Sequence, residues 1–232
     1  MDAVNARKRI DKELSEIKAD VYRMSALASE SLERAVYALK KRDADAAKKV
    51  ISDGDLTDAL EEKIDARCLE FAARYQPLGE DLRAVVSMMH IVVDLERIGD
   101  YGENIAKAFL SAPDALLLKP LIDIPRMVGV IKEMLGISMR AMDARDPEAV
   151  LRVFPMDDEV DDLDRQITRE LLLMIMEKPE RIERSFSIMG VSRTLERAGD
   201  HATNVAERVY YMYSGRTVKA GAYRRKEGSV DG

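Results

Sequence analysis

LERIGD occupies residues 95–100, and LERAGD occupies residues 195–200; five of the six positions are identical. The likeness runs outward from these hexapeptides. Asn104 answers Asn204, and Ala106 answers Ala206. Upstream, Arg42-Asp43 resembles Arg145-Asp146, Ile64 aligns with Ile167, and Pro77 with Pro179. The register is 103 residues early and 100 late, as two copies with small loop deletions would give. A period of that length is too long for a solenoid repeat and suits duplication of a whole small domain.

Each copy reads as three helices. In the first, residues 7–40 carry Ile10, Leu14, Ile17, Val21, Met24 and Leu27 at spacings of three and four. Asp43 starts a second helix that continues to Tyr75 through Val50, Leu60, Ile64 and Phe71, and Pro77 breaks it. The third runs over residues 80–109, with Met88, Ile91, Leu95, Ile98, Ile105 and Phe109 in one stripe and Gly102 leaving room for close packing. The second copy predicts helices over 126–143, 147–177 and 179–215, with Pro147 at a first helical position and Gly215 as a C-cap. The expected fold is all-α: a tandem pair of elongated three-helix bundles, six long helices in all. The first bundle spans 1–112 and the second 120–215. Pro113, Pro120 and Pro125 mark the stretch between them, and a basic, flexible tail covers 216–232.

Composition agrees with this reading and narrows the function. The 232 residues are 47% hydrophobic, enough for one large core or two small ones. Cys68 is the sole cysteine, which excludes an internal disulfide and a multi-cysteine metal site and fits a reducing compartment. The N-terminus lacks an apolar signal segment, and no charge-free apolar run reaches about 18 residues. With 43 acids against 37 bases, direct nucleic-acid binding is not expected. The tail is locally basic through Arg216, Lys219, Arg224, Arg225 and Lys226. A solvated chain end explains that charge; contact with acidic lipid headgroups is the sharper reading.

The repeated hexapeptides carry the chemistry. Glu96 and Asp100 are four residues apart, so both carboxylates leave one side of a helix; Glu196 and Asp200 repeat the arrangement. Like charges at that spacing repel unless something neutralises them. Arg97 and Arg197, partners on neighbouring helices, or a bound cation could do so. The second helices add Asp157 and Asp161, with Asp158, Asp162 and Asp164 nearby, and in the first copy Asp53, Asp55, Asp58, Glu61 and Asp65. Oxygen-rich sites suit magnesium, calcium, manganese or oxidised iron, and helical bundles can use clustered carboxylates to bridge several ions. A lone acid pair is ordinarily a solvated helix face. Its recurrence in equivalent helices, with Gly99 and Gly199 in mid-helix, gives the metal reading equal weight. Gly99 and Gly199 permit close helix contact or access to the acids. His201 suits a surface or interhelix hydrogen bond, and His90 suits packing among methionines. Met88, Met89, Met174 and Met176 read as core. Asp94 is less informative, because Thr194 replaces it. There is no HExxH motif, no phosphate-cradling glycine loop and only two histidines, so catalysis has little support. A metal-dependent hydrolase and a metal-binding or metal-storing structural bundle stand as alternatives.

At these LERxGD segments the chain resembles the PhoU family of phosphate-signalling proteins. RYQPLGEDLRAVVSMMHIVVDLERIGDYGENIAK in the first copy and LERAGDHATNVAE in the second carry the likeness, which covers nearly the whole chain. The resemblance implies a homodimer and a metal cluster on each bundle, with iron or zinc among the ions. By position, Glu96 and Asp100 belong to the first cluster, Glu196 and Asp200 to the second, and Asp58 and Asp161 to the acidic positions of the second helices. Asp157 matches the start of that motif. Gly54 takes its place in the first copy, between Asp53 and Asp55, which implies fewer ligands, a shifted ligand or weaker occupancy there. The implied function is negative regulation of phosphate uptake and of the phosphate-starvation response, linking the phosphate ABC transporter to a sensor histidine kinase. That implies a cytoplasmic protein, peripheral at the inner face of the membrane, which contacts the membrane through protein partners.

Overall fold

A computed structural model describes residues 2–111 and 123–223. The first helix, α1 (Asp2–Lys41), is held by a stripe at spacings of three and four. Leu14, Ile17, Val21, Met24, Ala28, Leu32, Ala35 and Leu39 are all buried along it. Arg42 ends it in the left-handed region at φ 60. Asp43 then caps α2 (Ala44–Asp53), its carboxylate accepting from the backbone N–H groups of Asp45 and Ala46. The second copy reuses the device: Arg145 takes φ 54, and Asp146 accepts from the N–H groups of Glu148 and Ala149.

The second helix of each copy is interrupted, where the sequence reading has it continuous. In the first copy α2 ends at Gly54 and α3 (Asp55–Tyr75) follows. Gly54 N–H bonds to Ile51 O at 3.3 Å, and Thr57 N–H bonds to Gly54 O at 2.8 Å, a local tightening of the helix. In the second copy a 3-10 segment, Pro147–Arg152, precedes α6 (Phe154–Glu177). Pro155 explains that break: it has no N–H for the carbonyl of Leu151, so it sits in the first turn of a new helix.

The third helices are the longest after α1. α4 (Gly79–Ser111) follows a turn with Gln76 at φ 47 and Gly79 at φ 58. α7 (Ile182–Ser214) follows the short 3-10 turn Pro179–Arg181 and ends at Gly215, φ 68. α5 (Asp123–Ala144) opens the second copy. Pro125 therefore belongs to the first turn of α5 and not to the connecting stretch; Pro113 and Pro120 lie outside the described residues.

α1, the α2–α3 pair and α4 make one bundle; α5, α6 and α7 make the other. The two halves meet where α4 packs on α7 and α1 on α5. The helices that carry the repeated hexapeptides are thus direct neighbours, and Leu95 and Leu195 are both fully buried. One apolar core runs through both halves. At this seam Lys18 Nζ donates to Tyr213 Oη at 2.8 Å, and Tyr213 Oη donates to Met142 O at 2.7 Å.

Packing continues past residue 215. Val218 lies on the core, Ala220 N–H donates to Glu207 Oε1 at 2.9 Å, and the Tyr223 ring sits 5.6 Å from that of Phe154. The start of the tail is docked on the second bundle, while Arg224, Arg225 and Lys226 lie outside the described residues. Two further expectations need correction. Met176 is 79% exposed, because it stands two residues, about 200°, round α6 from Met174, which packs on the core. His90 is exposed, in a cleft with Asp94, Asn204 and Glu207.

Candidate metal centres

α3 and α4 approach closely because Gly99 has no side chain. A Cβ there would lie 3.3 Å from Thr57 Cγ2, tighter than usual contact. The approach sets Asp58, in the first turn of α3, against Glu96 and Asp100, one turn apart on α4. One carboxylate oxygen from each lies within 4.8 Å of the others. The Glu96 carboxyl is raised to about 7, first by burial and then by the charge of Asp100, with Arg97 opposing the rise. Glu61 also rises, through burial and the charges of Asp65 and Asp58. Arg97 offers partial relief, with Nε 3.5 Å from Glu96 and Nη1 3.9 Å from Asp100. Asp65 Oδ1 is buried without a hydrogen-bond donor. Excess negative charge, desolvation and an all-oxygen donor set are what a hard cation needs.

The second bundle arranges its acids differently. Asp157, Asp158 and Asp164 are buried, at 0%, 9% and 6% exposure, on the face of α6. Ser192 Oγ on α7 donates to Asp164 Oδ1 at 2.6 Å, and Arg193 Nη1 stands 3.9 Å from Asp164 Oδ2. The Glu196 carboxyl is raised by burial, then by Asp200, with Asp161 and Asp164 adding to the rise and Arg193 opposing it. Gly199 permits the contact: a Cβ there would lie 3.3 Å from Asp157 Oδ1 and from Val160 Cγ1. Asp161, Glu196 and Asp200 therefore share one electrostatic neighbourhood. Among the described residues, only Asp58, Glu96 and Asp100 bring three donor atoms within 4.8 Å of one another.

Arg197 does not answer Arg97. Its guanidinium lies 5.4 Å from the ring centroid of Tyr101, across the seam between bundles. Arg193 takes the role beside the acids instead. Asp94 proves informative after all: its Oδ1 is 2.8 Å from His201 Nδ1 and accepts from Asn204 Nδ2 at 3.2 Å. The other ring nitrogen of His201 is 3.2 Å from Tyr101 Oη. Asp94, Tyr101 and His201, each at a place where the copies differ, thus meet at the α4–α7 seam. Asp53 does not reach the first acidic site, because Arg34 Nη1 of α1 holds its Oδ2 at 2.7 Å. Glu103 escapes the motif-based reading, which stops at Asp100; its side chain enters the space beside Gly54. Its place seven residues after Glu96, on the same helix face, is the signal that could have found it.

The fold and its acidic faces define a class: a duplicated helical-bundle protein that presents carboxylates from the third helix of each copy. The PhoU domain model matches residues 21–109 and 124–209, one domain per bundle. A phosphate-specific transport system accessory protein PhoU homolog of Aquifex aeolicus is 38% identical over 211 residues, covering 91% of this chain and 96% of that protein. A PhoU homolog of Thermotoga maritima is 31% identical and covers 90% of each chain. The crystal structure of PhoU from Pseudomonas aeruginosa superposes with a TM-score of 0.83 at 31% identity, covering 89% of this chain and 99% of that one. The chain belongs to the PhoU family. Among the described residues, no helix is long and apolar enough to cross a membrane.

Proposed function

We propose that this protein is a negative regulator of phosphate uptake and of the phosphate-starvation response. In this reading it is a cytoplasmic homodimer that links a phosphate ABC transporter to a sensor histidine kinase and reaches the membrane through them. The observation that carries the reading is family likeness across both bundles, together with acidic sites in each. Asp58, Glu96 and Asp100 hold cations in the first bundle, and Asp157, Asp161, Glu196 and Asp200 in the second. Iron or zinc is the family's ion, and magnesium, manganese or calcium also suits the oxygen donors. Bound cations relieve the repulsion that raises Glu96 and Glu196, and so brace α3 on α4 and α6 on α7.

A second feature supports a partner on the outside of the bundles. Leu69 and Leu172, Leu82 and Ile182, and Val86 and Phe186 occupy equivalent positions and are all exposed. Exposed apolar residues repeated at equivalent positions of the two copies suit docking on proteins. Affinity purification of the full chain from cells at high and at low phosphate tests the function. Recovery of the transporter and the kinase, with starvation genes switched on at high phosphate when the gene is deleted, is the expected outcome. Recovery of neither partner and unaltered phosphate control would overturn it.

A further inference from the structure

Gly54 and Asp157 are equivalent positions, 103 residues apart, each one turn before the equivalent acids Asp58 and Asp161. The backbone does not call for glycine at residue 54, whose φ of −57 and ψ of −41 suit any residue. Space does call for it. A Cβ at Gly54 would lie 1.6 Å from Glu103 Oε1 and 2.5 Å from Glu103 Cδ, so the Glu103 carboxylate occupies the volume of a side chain at residue 54. Glu103 continues the α4 stripe that carries Glu96 and Asp100, at the i+7 position. Its equivalent in the second copy is Thr203, which is buried and carries no charge. The carboxylate has changed helices: the second copy carries Asp157 on α6 and an uncharged Thr203 on α7, whereas the first carries Gly54 at the head of α3 with the Glu103 carboxylate of α4 set against it.

We infer that Glu103 supplies the first bundle with the cation ligand that Asp157 supplies in the second. The two sites then have the same complement of carboxylates, with one donor transposed from the second helix to the third. Asp53 is engaged by Arg34 Nη1 at 2.7 Å. Lys107 Nζ donates to Glu103 Oε2 at 2.7 Å, while Oε1 is the oxygen set against Gly54. This inference rests on the cation-binding reading of the acidic sites, and the test below separates the two.

The full chain carrying Glu196→Gln and Asp200→Asn reports on the first bundle alone. Manganese(II) titration followed by electron paramagnetic resonance then measures its affinity before and after Glu103→Gln, an isosteric change. Loss of outer-shell partners alone weakens metal binding by about 10–100-fold, so loss of this carboxylate is expected to weaken it at least about tenfold. A reciprocal exchange provides the second arm: Glu103→Thr weakens binding, and adding Gly54→Asp restores it. Binding that is unchanged by Glu103→Gln would overturn the inference and leave the cation reading standing. Failure of the exchange to restore binding also counts against it. Absence of manganese binding before any change at Glu103 would overturn both.

Discussion

The two bundles share a scaffold and differ in how they manage negative charge. In the first, three carboxylates converge at a half-open site, and Arg97 stands beside them. In the second, Asp157, Asp158 and Asp164 are buried, Ser192 donates to Asp164, and Arg193 stands where no equivalent cation stands in the first. Val93 holds that position in the first copy. Between the copies, the place of charge is kept more strictly than the residue that supplies it. Carboxylate moves between helices at Gly54 and Glu103, and the guanidinium beside the acids moves from within the hexapeptide at Arg97 to two residues before it at Arg193.

The comparison breaks most readily at the hexapeptides. Alanine at Glu96 and Asp100 should empty the first bundle of bound metal while the second retains its share. Alanine at Glu196 and Asp200 should do the reverse. Affinity for the altered site should fall by more than about 100-fold, since direct ligands exceed the outer-shell effect. Metal analysis of the purified variants checks both; unchanged metal content in either would remove those residues as ligands.

The cores supply the next contrast. Phe71 is 1% exposed, while its equivalent Met174 is only partly buried. Phe71→Ala should cost about 3–5 kcal/mol in denaturant unfolding, and Met174→Ala roughly half that or less. Equal costs would show that the two bundles are packed alike. A smaller effect is expected at the point where α4 crosses α1. A Cβ at Gly102 would lie 2.2 Å from Ser31 Oγ and 2.7 Å from its backbone carbon, yet the equivalent position in the second copy is already Ala202. Gly102→Ala should destabilise by about 1–3 kcal/mol through overpacking. A stabilised variant would show that the helices separate freely there.

The smallest effect concerns pH in metal-free protein. Glu96 titrates near 7 in the folded chain, against an ordinary 4.5. Below pH 4.5 it is protonated in both states, and its contribution to stability is fully present. Between 4.5 and 7 the unfolded chain ionises first, so stability falls as pH rises, and above 7 the contribution is gone. Glu96→Gln should flatten that part of the thermal-stability profile. Glu196→Gln should flatten it in the same sense, because the Glu196 carboxyl is raised too. An unaltered profile in Glu96→Gln would contradict the buried, repelling environment assigned to it.

Much of the fold was legible because apolar spacing and turn chemistry agree along the chain. The stripe from Met88 to Phe109 is buried throughout, and the Asp43, Asp146 and Gly215 caps stand where the sequence places them. The breaks at Gly54 and Val153 were less legible. Periodicity runs through them, although Pro155 carried a local signal for the second. Within the site, the i,i+4 acids follow from helix geometry alone. The roles of Glu103, Arg193 and Asp94 depend on which helices become neighbours. Spacing within one helix cannot show that Glu103 reaches Gly54, or that Asp94 reaches His201 across the seam.

Both bundles are predicted to hold cations at equivalent places. Crystals of the full chain reconstituted with iron, measured at the iron absorption edge, test it most directly. Two anomalous peaks are predicted: one among Asp58, Glu96, Asp100 and Glu103, the other among Asp157, Asp161, Glu196 and Asp200. A peak in one bundle only, or none near these carboxylates, would contradict it.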